Sequence, residues 1–148
     1  MNDSPMRVNA DLLDLQDYVA YCEGKPFTGV AVEYRPDGTV WSEITYRFGL
    51  EDGPARDWYE NGMLRSESMA KLGVTNGISK EWQPDGTPKT EKVIELGYCT
   101  HSREWGETGR LIKESKLDEN SSNYELLIAA RAQEPRRVQT ILERFRAA

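Results

Sequence analysis

Three side chains in this sequence could carry nucleophilic, acid–base or metal chemistry: Cys22, Cys99 and the single histidine, His101. A zinc site built from them would need a carboxylate as its fourth ligand, and the sequence has no CxxC pair. No glycine-rich phosphate loop and no nucleophile–base motif is visible. We therefore expect two buried free thiols in a reducing compartment, a surface-loop position for His101, and no catalytic residue, metal or cofactor.

Two columns of carboxylates are the other groups that could do chemistry, since paired carboxylates serve in general acid–base catalysis. One column follows a repeated glycine by five residues, and the other directly precedes a repeated aromatic residue. The first comprises Glu43, Glu67, Glu91 and Glu114, and the second comprises Glu33, Asp57, Glu81 and Glu104. Because both recur about every 24 residues, they indicate a repeating scaffold and not a single active site.

Glycines and aromatic residues define the repeat. Its columns are Gly38, Gly62, Gly86 and Gly109, then Tyr34, Trp58, Trp82 and Trp105 four residues earlier, and a second glycine column of Gly49, Gly73 and Gly97. Asn-Gly and Asp-Gly pairs in the first glycine column supply the positive φ that hairpin turns require. The sequence predicts a mainly β fold, a meander of four antiparallel β-hairpins over residues 24–118. The second glycine column marks the return loops.

A two-residue loop at Asn61-Gly62 would set the register of its hairpin. The same rule applied to each repeat predicts the cross-strand pairs Arg56–Glu67, Trp58–Arg65, Lys80–Glu91, Trp82–Lys89, Arg103–Glu114 and Val32–Glu43. Three of these pairs join opposite charges, as cross-strand pairing favours. We therefore interpret the first glutamate column as a structural ladder.

Side chains alternate between the two faces of each strand. The aromatic column and the charge pairs share one face, which we interpret as the packed face. The opposite face carries Glu33, Asp57, Glu81 and Glu104, hereafter the acidic row, opposite Ser42, Ser66, Thr90 and Lys113. This row is either a solvated surface or a docking surface for a basic partner, with Tyr59 and Tyr46 as candidate aromatic anchors.

The two ends of the chain lie outside the repeats. Residues 1–23 are expected to form an N-terminal cap whose last segment, 18–22, enters the sheet as a strand. Residues 119–148 predict two short α-helices, the first opened by a capping box at Ser122 and Glu125 and the second by Pro135. These helices are expected to cap the sheet end, with a basic amphipathic helix for a membrane surface or a partner as the alternative.

Charge narrows the possible partners. The chain carries a formal net charge of −6, and the five arginines beyond residue 123 leave the preceding body still more acidic. An acidic body argues against nucleic-acid binding, which requires cations to displace counterions from phosphates. It suits a basic protein partner, although acidity also confers solubility. We see no membrane span and no secretory signal, and expect a cytoplasmic location.

The segment Gly24-Lys25-Pro26-Phe27-Thr28-Gly29 and the later Trp58-Tyr59-Glu60-Asn61-Gly62 resemble the MORN-variant repeat, in particular that of the bacterial YwqK-type antitoxin family. The resemblance covers about residues 18–118. It implies a MORN-like open sheet and an antitoxin or immunity protein that neutralises a cognate toxin by stoichiometric binding. It carries over no catalytic residue. The alternative function is a structural or membrane-associated adaptor, as MORN repeats also provide.

Overall fold

The computed structural model describes residues 4–146. Within them lie thirteen β-strands, one 3-10 helix over Ala10–Leu12 and one α-helix. The strands are β1 Arg7–Asn9, β2 Leu13–Gln16, β3 Val19–Cys22, β4 Lys25–Pro26, β5 Gly29–Tyr34, β6 Val40–Arg47, β7 Leu50–Trp58, β8 Leu64–Lys71, β9 Val74–Thr75, β10 Gly77–Trp82, β11 Pro88–Glu95, β12 Tyr98–Trp105 and β13 Leu111–Lys116, and the helix α1 spans Ser122–Arg146.

Ten strands form the main sheet, in the order β1-β5-β6-β7-β8-β10-β11-β12-β13, with β9 paired to β8. Neighbours from β5 to β13 are antiparallel, whereas β1 lies parallel to β5 at one edge. The predicted mainly β meander is confirmed. It has more strands than four hairpins supply, because β1 adds an edge and the short β9 precedes β10.

The strands β2, β3 and β4 form a separate three-stranded sheet. The expected entry strand therefore exists as β3, but it pairs with β2 and β4 and does not join the main sheet. The core lies where this small sheet meets the first hairpin, and its buried cluster comprises Ala20, Phe27, Ala31 and Tyr46. The small sheet thus contributes Ala20 to this cluster, and its partly buried Leu13 and Cys22 pack against it.

The tryptophan column is not a packed face, so that prediction is wrong. Trp58, Trp82 and Trp105 are each half-buried, and Tyr34 is 49% exposed. Within residues 4–146, no second layer of strands covers the later hairpins. Beyond the first hairpin the strands therefore form a single layer, and the buried residues there are Leu72 and Leu127 of α1.

The return loops are stacked tight turns. Each places an apolar residue and a glycine at positive φ, in the pairs Phe48-Gly49, Leu72-Gly73 and Leu96-Gly97. The glycine N–H groups donate to backbone carbonyls just after the preceding turn, from Gly73 to Glu51 of β7 and from Gly97 to Thr75 of β9, both at 2.8 Å. Two positive φ angles in succession are the geometry of a type I′ hairpin turn, which confirms the turn role of the second glycine column.

The hairpin tips are longer than the predicted two-residue loop. At the second tip the Tyr59 N–H donates to the Met63 carbonyl and the Gly62 N–H donates to the Tyr59 carbonyl, which is a type I turn followed by a left-handed glycine. The strand pairing then begins with Trp58 opposite Leu64, and the next pair is Asp57 opposite Ser66, so the register shifts by one residue between these two pairs. The expected partners Trp58–Arg65 and Trp82–Lys89 are therefore wrong.

The predicted charge pairs nevertheless hold. Arg56 lies opposite Glu67, Lys80 opposite Glu91 and Arg103 opposite Glu114. The longer tip moves the register by one residue, and a β-bulge in the second strand of the hairpin moves it back. The bulged residues are Trp41, Arg65, Lys89 and Ile112.

One continuous helix replaces the two expected ones, and Pro135 lies inside it. Its first turn is capped by Ser121 and not Ser122, since the Ser121 hydroxyl accepts from the Tyr124 N–H at 3.2 Å. Proline removes one helical hydrogen bond but leaves the flanking turns free to continue when other contacts hold them. Such contacts lie on both sides of Pro135, at Arg131 and Arg137.

The helix runs across the return turns and does not cap the sheet end. Arg131 binds Glu95 through two bonds of 2.6 and 2.7 Å, Arg137 donates to the Leu72 carbonyl at 2.7 Å, and the ring of Phe145 stacks on Phe48 at 5.4 Å. All six residues of β13 are exposed. In the described part of the chain, no helix has the length and apolar character needed to cross a membrane.

Candidate functional site

An unbroken row of alternating charges crosses the tryptophan-bearing face of the sheet. Directly opposed neighbours along it are Glu43, Arg56, Glu67, Lys80, Glu91, Arg103 and Glu114. Ion pairs join Arg56 to Glu67 at 2.5 Å and Lys80 to Glu91 at 3.4 Å. Glu43, which has no cation opposite it in its own hairpin, is paired with Arg7 of β1. These contacts account for the first glutamate column structurally.

His101 lies beside the last member of this row. Its Nε2 is 2.7 Å from Glu114 Oε1, and Arg103 donates to the same carboxylate at 3.2 Å. The two contacts hold the pKa of Glu114 below its ordinary value, with His101 the larger cause. His101 is thus a half-buried residue of β12, and its expected loop position is wrong.

The acidic row lies on the opposite face, in the register that the sequence predicts. Glu33 faces Ser42, Asp57 faces Ser66, Glu81 faces Thr90 and Glu104 faces Lys113. The strands also meet across the repeats, because Ser42 lies beside Asp57 and Ser66 beside Glu81. Acids and hydroxyls therefore alternate along one line from β5 to β11. The Ser66 hydroxyl donates to Asp57 at 2.7 Å, which orients that carboxylate.

The bulges add cations and an indole to this face. A bulge makes two successive side chains project towards the same side of a sheet, so the bulged residue joins the following hydroxyl residue. A concave pocket of about 450 Å³ results, lined by Glu33, Asp57, Glu81, Ser42, Ser66, Trp41, Tyr59, Trp82, Arg65 and Lys89. Lys89 lies 3.9 Å from Glu81, and Arg65 lies over the Tyr59 ring at 5.9 Å. We call this concavity the acidic pocket.

Four of the six predicted site residues line the acidic pocket: Glu33, Asp57, Glu81 and Tyr59. The Tyr59 hydroxyl donates to the Trp82 carbonyl at 2.8 Å, which fixes the ring at the pocket rim. Glu104 continues the acidic row on β12 but is not part of the pocket lining.

Tyr46 lies elsewhere, in the core. It is only 8% exposed and packs against Phe27 with ring centroids 6.0 Å apart, and burial raises the pKa of its phenol. The structure therefore does not present it as a surface anchor.

Sequence reasoning missed Trp41, Arg65 and Lys89 as pocket residues. A two-residue loop places Arg65 and Lys89 opposite the tryptophans, on the other face. The recurring tip sequence, Pro or Glu followed by Asp or Asn and then Gly, forms a three-residue loop, one residue longer than the predicted one. This tip sequence was the available signal that a bulge must compensate for the extra residue. Trp41, at 50% exposed, is the largest solvent-accessible side chain that the bulges bring to this face.

A second concavity lies at the hairpin tips beside the acidic pocket. It has a volume of about 670 Å³, and its walls include Tyr34, Trp58, Tyr59, Pro36 and Pro84. Its tips are tied together, because Asn61 Nδ2 donates to the Pro84 carbonyl at 2.8 Å and Arg35 donates to the Trp58 carbonyl. Aromatic rings and ordered carboxylates thus lie side by side on one rigid surface.

The groups that this surface presents are carboxylates, hydroxyls, cations and aromatic rings. Among residues 4–146, no cluster of three or more His, Cys, Asp or Glu side chains is placed to hold a metal ion. Cys22 is half-buried and Cys99 exposed, so the expectation of two buried thiols is wrong. Carboxylates beside hydroxyls and aromatic rings can accept hydrogen bonds from arginine or lysine side chains and pack against their aliphatic stems.

Comparison with known proteins identifies the repeat. A family model described as the MORN repeat variant matches residues 27–47 and 51–71, which correspond to the hairpins β5–β6 and β7–β8. No curated protein matches the chain.

Two solved structures are similar to parts of the chain. A crystal structure of TarM aligns with a TM-score of 0.37 and 14% identity, over 61% of this chain and 20% of that one. A crystal structure of accessory secretory protein 1, 2 and 3 in Streptococcus pneumoniae aligns with a TM-score of 0.37 and 13% identity, over 75% of this chain and 22% of that one. The chain therefore spans about a fifth of the length of each.

Proposed function

We propose that this chain is a non-catalytic antitoxin or immunity protein that neutralises a cognate bacterial toxin by stoichiometric binding. The contact surface is the sheet face that carries the acidic pocket, and the partner presents arginines and lysines to it. The observation that carries the proposal is the acidic pocket itself, in which three carboxylates from successive repeats lie beside Trp41 and Tyr59.

Preorganisation supports this function. The carboxylates lie on alternate strands of one sheet, the Ser66 hydroxyl donates to Asp57, and Lys89 lies 3.9 Å from Glu81. A rigid surface loses little side-chain entropy on binding, which favours affinity. Successive acids lie two strands apart, roughly 10 Å at about 4.8 Å per strand, so that a basic surface of ordinary size can meet all three.

Electrostatics and aromatic anchors have separate roles in this binding. The net charge of −6 raises the rate of encounter with a basic partner, and ion pairs buried in the complex slow its dissociation. Trp41 and Tyr59 supply apolar area of the kind that dominates binding energy at interfaces. The tryptophan side chain of Trp41 needs no rearrangement to be reached, since half of it is already exposed.

The test is co-expression with the product of the adjacent gene. We expect that protein to arrest growth when expressed alone, and this chain to restore growth and co-purify with it in a fixed molar ratio. The Trp41→Ala variant, with Tyr18→Ala as a matched exposed aromatic outside both concavities, separates the anchor from a general loss of aromatic area. Growth arrest that persists despite folded chain, with no complex on purification, contradicts the proposal.

A membrane-associated adaptor is the second candidate, and one observation favours it. The helix α1 exposes Arg136, Arg144 and Arg146, which could contact anionic lipid headgroups. Sedimentation with vesicles of phosphatidylserine and phosphatidylcholine tests this function. Binding that increases with the anionic fraction and is lost when the three arginines become glutamines would support the adaptor.

A further inference from the structure

Among residues 4–146, no strand pairs with the outer edge of β13, the last strand of the main sheet. At the opposite end the edge strand β1 is only three residues long and lies beside the small sheet. At this end, β13 is the last strand, all six of its residues are exposed, and Ile112 is 64% exposed. Unpaired edges of this kind are where added strands bind.

The backbone of β13 is oriented to accept such a strand. The Leu117 N–H donates to the Thr100 carbonyl at 2.9 Å, which points the backbone groups of residue 117 towards β12. Bonding direction alternates along an antiparallel strand. The N–H and C=O groups of Glu114 and Lys116 therefore point outwards, into solvent.

The charge pattern of the sheet specifies what the added strand carries. In each earlier repeat, the glutamate that corresponds to Glu114 faces a basic residue on the next strand of the sheet. The residue that precedes this glutamate faces an acidic residue on the same next strand. These outer neighbours are Arg56-Asp57-Trp58, Lys80-Glu81-Trp82 and Arg103-Glu104-Trp105. Glu114 and Lys113 occupy the two corresponding positions on β13 and face no outer strand.

We propose that the outer edge of β13 binds an extended antiparallel strand of a protein partner that carries a basic residue followed by an acidic one. The basic residue lies opposite Glu114 and the acidic residue opposite Lys113. This surface is separate from the acidic pocket, and the proposal does not depend on the partner being a toxin.

A second copy of this chain is a poorer occupant than such a strand. In a symmetric antiparallel pair, a residue whose backbone groups point outwards must face another such residue of the second copy, so Lys113 cannot face Glu114. The two allowed registers with the longest overlap of β13 place Lys113 opposite Lys113 or Glu114 opposite Glu114. Like charges directly opposite destabilise a pair of strands. The edge thus disfavours self-association while accepting a basic–acidic strand.

The probe is a synthetic peptide with the sequence of residues 76–83, NGISKEWQ, added to the full chain. A peptide with the two charges exchanged, NGISEKWQ, is the matched control of identical composition. Because NMR titration detects binding with dissociation constants as large as roughly 1 mM, weak binding of a short strand remains measurable. We expect the native order to bind at least about fivefold more tightly than the exchanged order, as two reversed cross-strand charge pairs imply.

Location is tested in the same titration. We expect the amide protons of Glu114 and Lys116 to gain protection from hydrogen exchange, and the double variant Lys113→Glu, Glu114→Lys to prefer the exchanged peptide. Failure of both peptides to bind, equal affinity for the two, or protection elsewhere overturns the proposal. It is also overturned if the free chain is already a dimer with Glu114 and Lys116 protected. Circular dichroism of the double variant confirms that it is folded.

Discussion

At the scale of single residues, the sequence predicts the alternating charges well and the pocket incompletely. The pairs Arg56–Glu67 and Lys80–Glu91 follow from the 24-residue period and strand alternation. The predicted loop is one residue too short, but the unpredicted bulge shifts the register back by one residue, so the predicted partners at these positions are still correct. Arg65 is itself the bulged residue, where these errors do not cancel, so the face predicted for its side chain is wrong. Tyr46 shows the other limit, since strand alternation gives its face but not the small sheet that buries it.

Glycine conformation gives the first prediction. Gly49 and Gly62 have nearly the same φ, +80° and +83°, but a Cβ on Gly62 meets open space whereas one on Gly49 lies 2.7 Å from the Ala20 carbonyl oxygen and against Val19. Gly62→Ala should lower the free energy of unfolding by about 1–2 kcal/mol, the cost of the left-handed backbone alone. Gly49→Ala should cost clearly more. Urea unfolding of the two variants measures this, and equal losses would show that the return turn can move away from β3.

At the scale of elements, the rise of α1 between two of its arginines matches the spacing between successive return turns of the sheet. Two strands advance the sheet by roughly 9–10 Å, and the six residues from Arg131 to Arg137 advance a helix by about 9 Å. Each arginine therefore reaches a successive return turn, at Glu95 and Leu72. This match is absent from local sequence signals, which is why Pro135 predicted a break that long-range contacts override.

Acid should weaken the docking of the helix. The Arg131 guanidinium holds the pKa of Glu95 below its ordinary value of 4.5, and Arg137 does the same for Glu134. A carboxyl whose pKa is lower in the folded state contributes stability that is complete above 4.5 and is lost as the pH falls below it. The difference in melting temperature between wild type and Glu95→Gln should thus be present at pH 7 and shrink as the pH falls below 4.5. A difference that is constant across this range would contradict a docking role for the ion pair.

Arg137 should be the residue on which helix docking depends most. Its guanidinium donates to the Leu72 carbonyl at 2.7 Å and to both carboxylate oxygens of Glu134 at 2.7 and 2.8 Å. A lysine ammonium cannot reproduce this forked geometry. Both Arg137→Ala and Arg137→Lys should speed hydrogen exchange in residues 138–146, whereas the exposed control Arg136→Ala should not. Full protection in Arg137→Lys would show that charge alone is sufficient.

At the scale of the whole molecule, the described residues form a single-layer main sheet whose hydrophobic cluster lies at its N-terminal end. Hairpin periodicity predicted the sheet, since it depends only on local turns and alternation. It could not predict which end carries the core, because that depends on how residues 13–26 pack on the first hairpin. An uncovered layer leaves the acidic pocket and its aromatic neighbours on a broad open face. The central claim is that this face binds a basic protein.

Calorimetric titration of the adjacent-gene protein into two matched triple variants tests that claim most directly. One variant neutralises the pocket with Glu33→Gln, Asp57→Asn and Glu81→Gln, and the other removes the same charge at exposed sites with Glu107→Gln, Glu119→Gln and Glu125→Gln. We predict that the pocket variant binds at least about tenfold more weakly than the control and loses most of its salt dependence. A pocket variant that matches the control in both affinity and salt dependence would contradict the account.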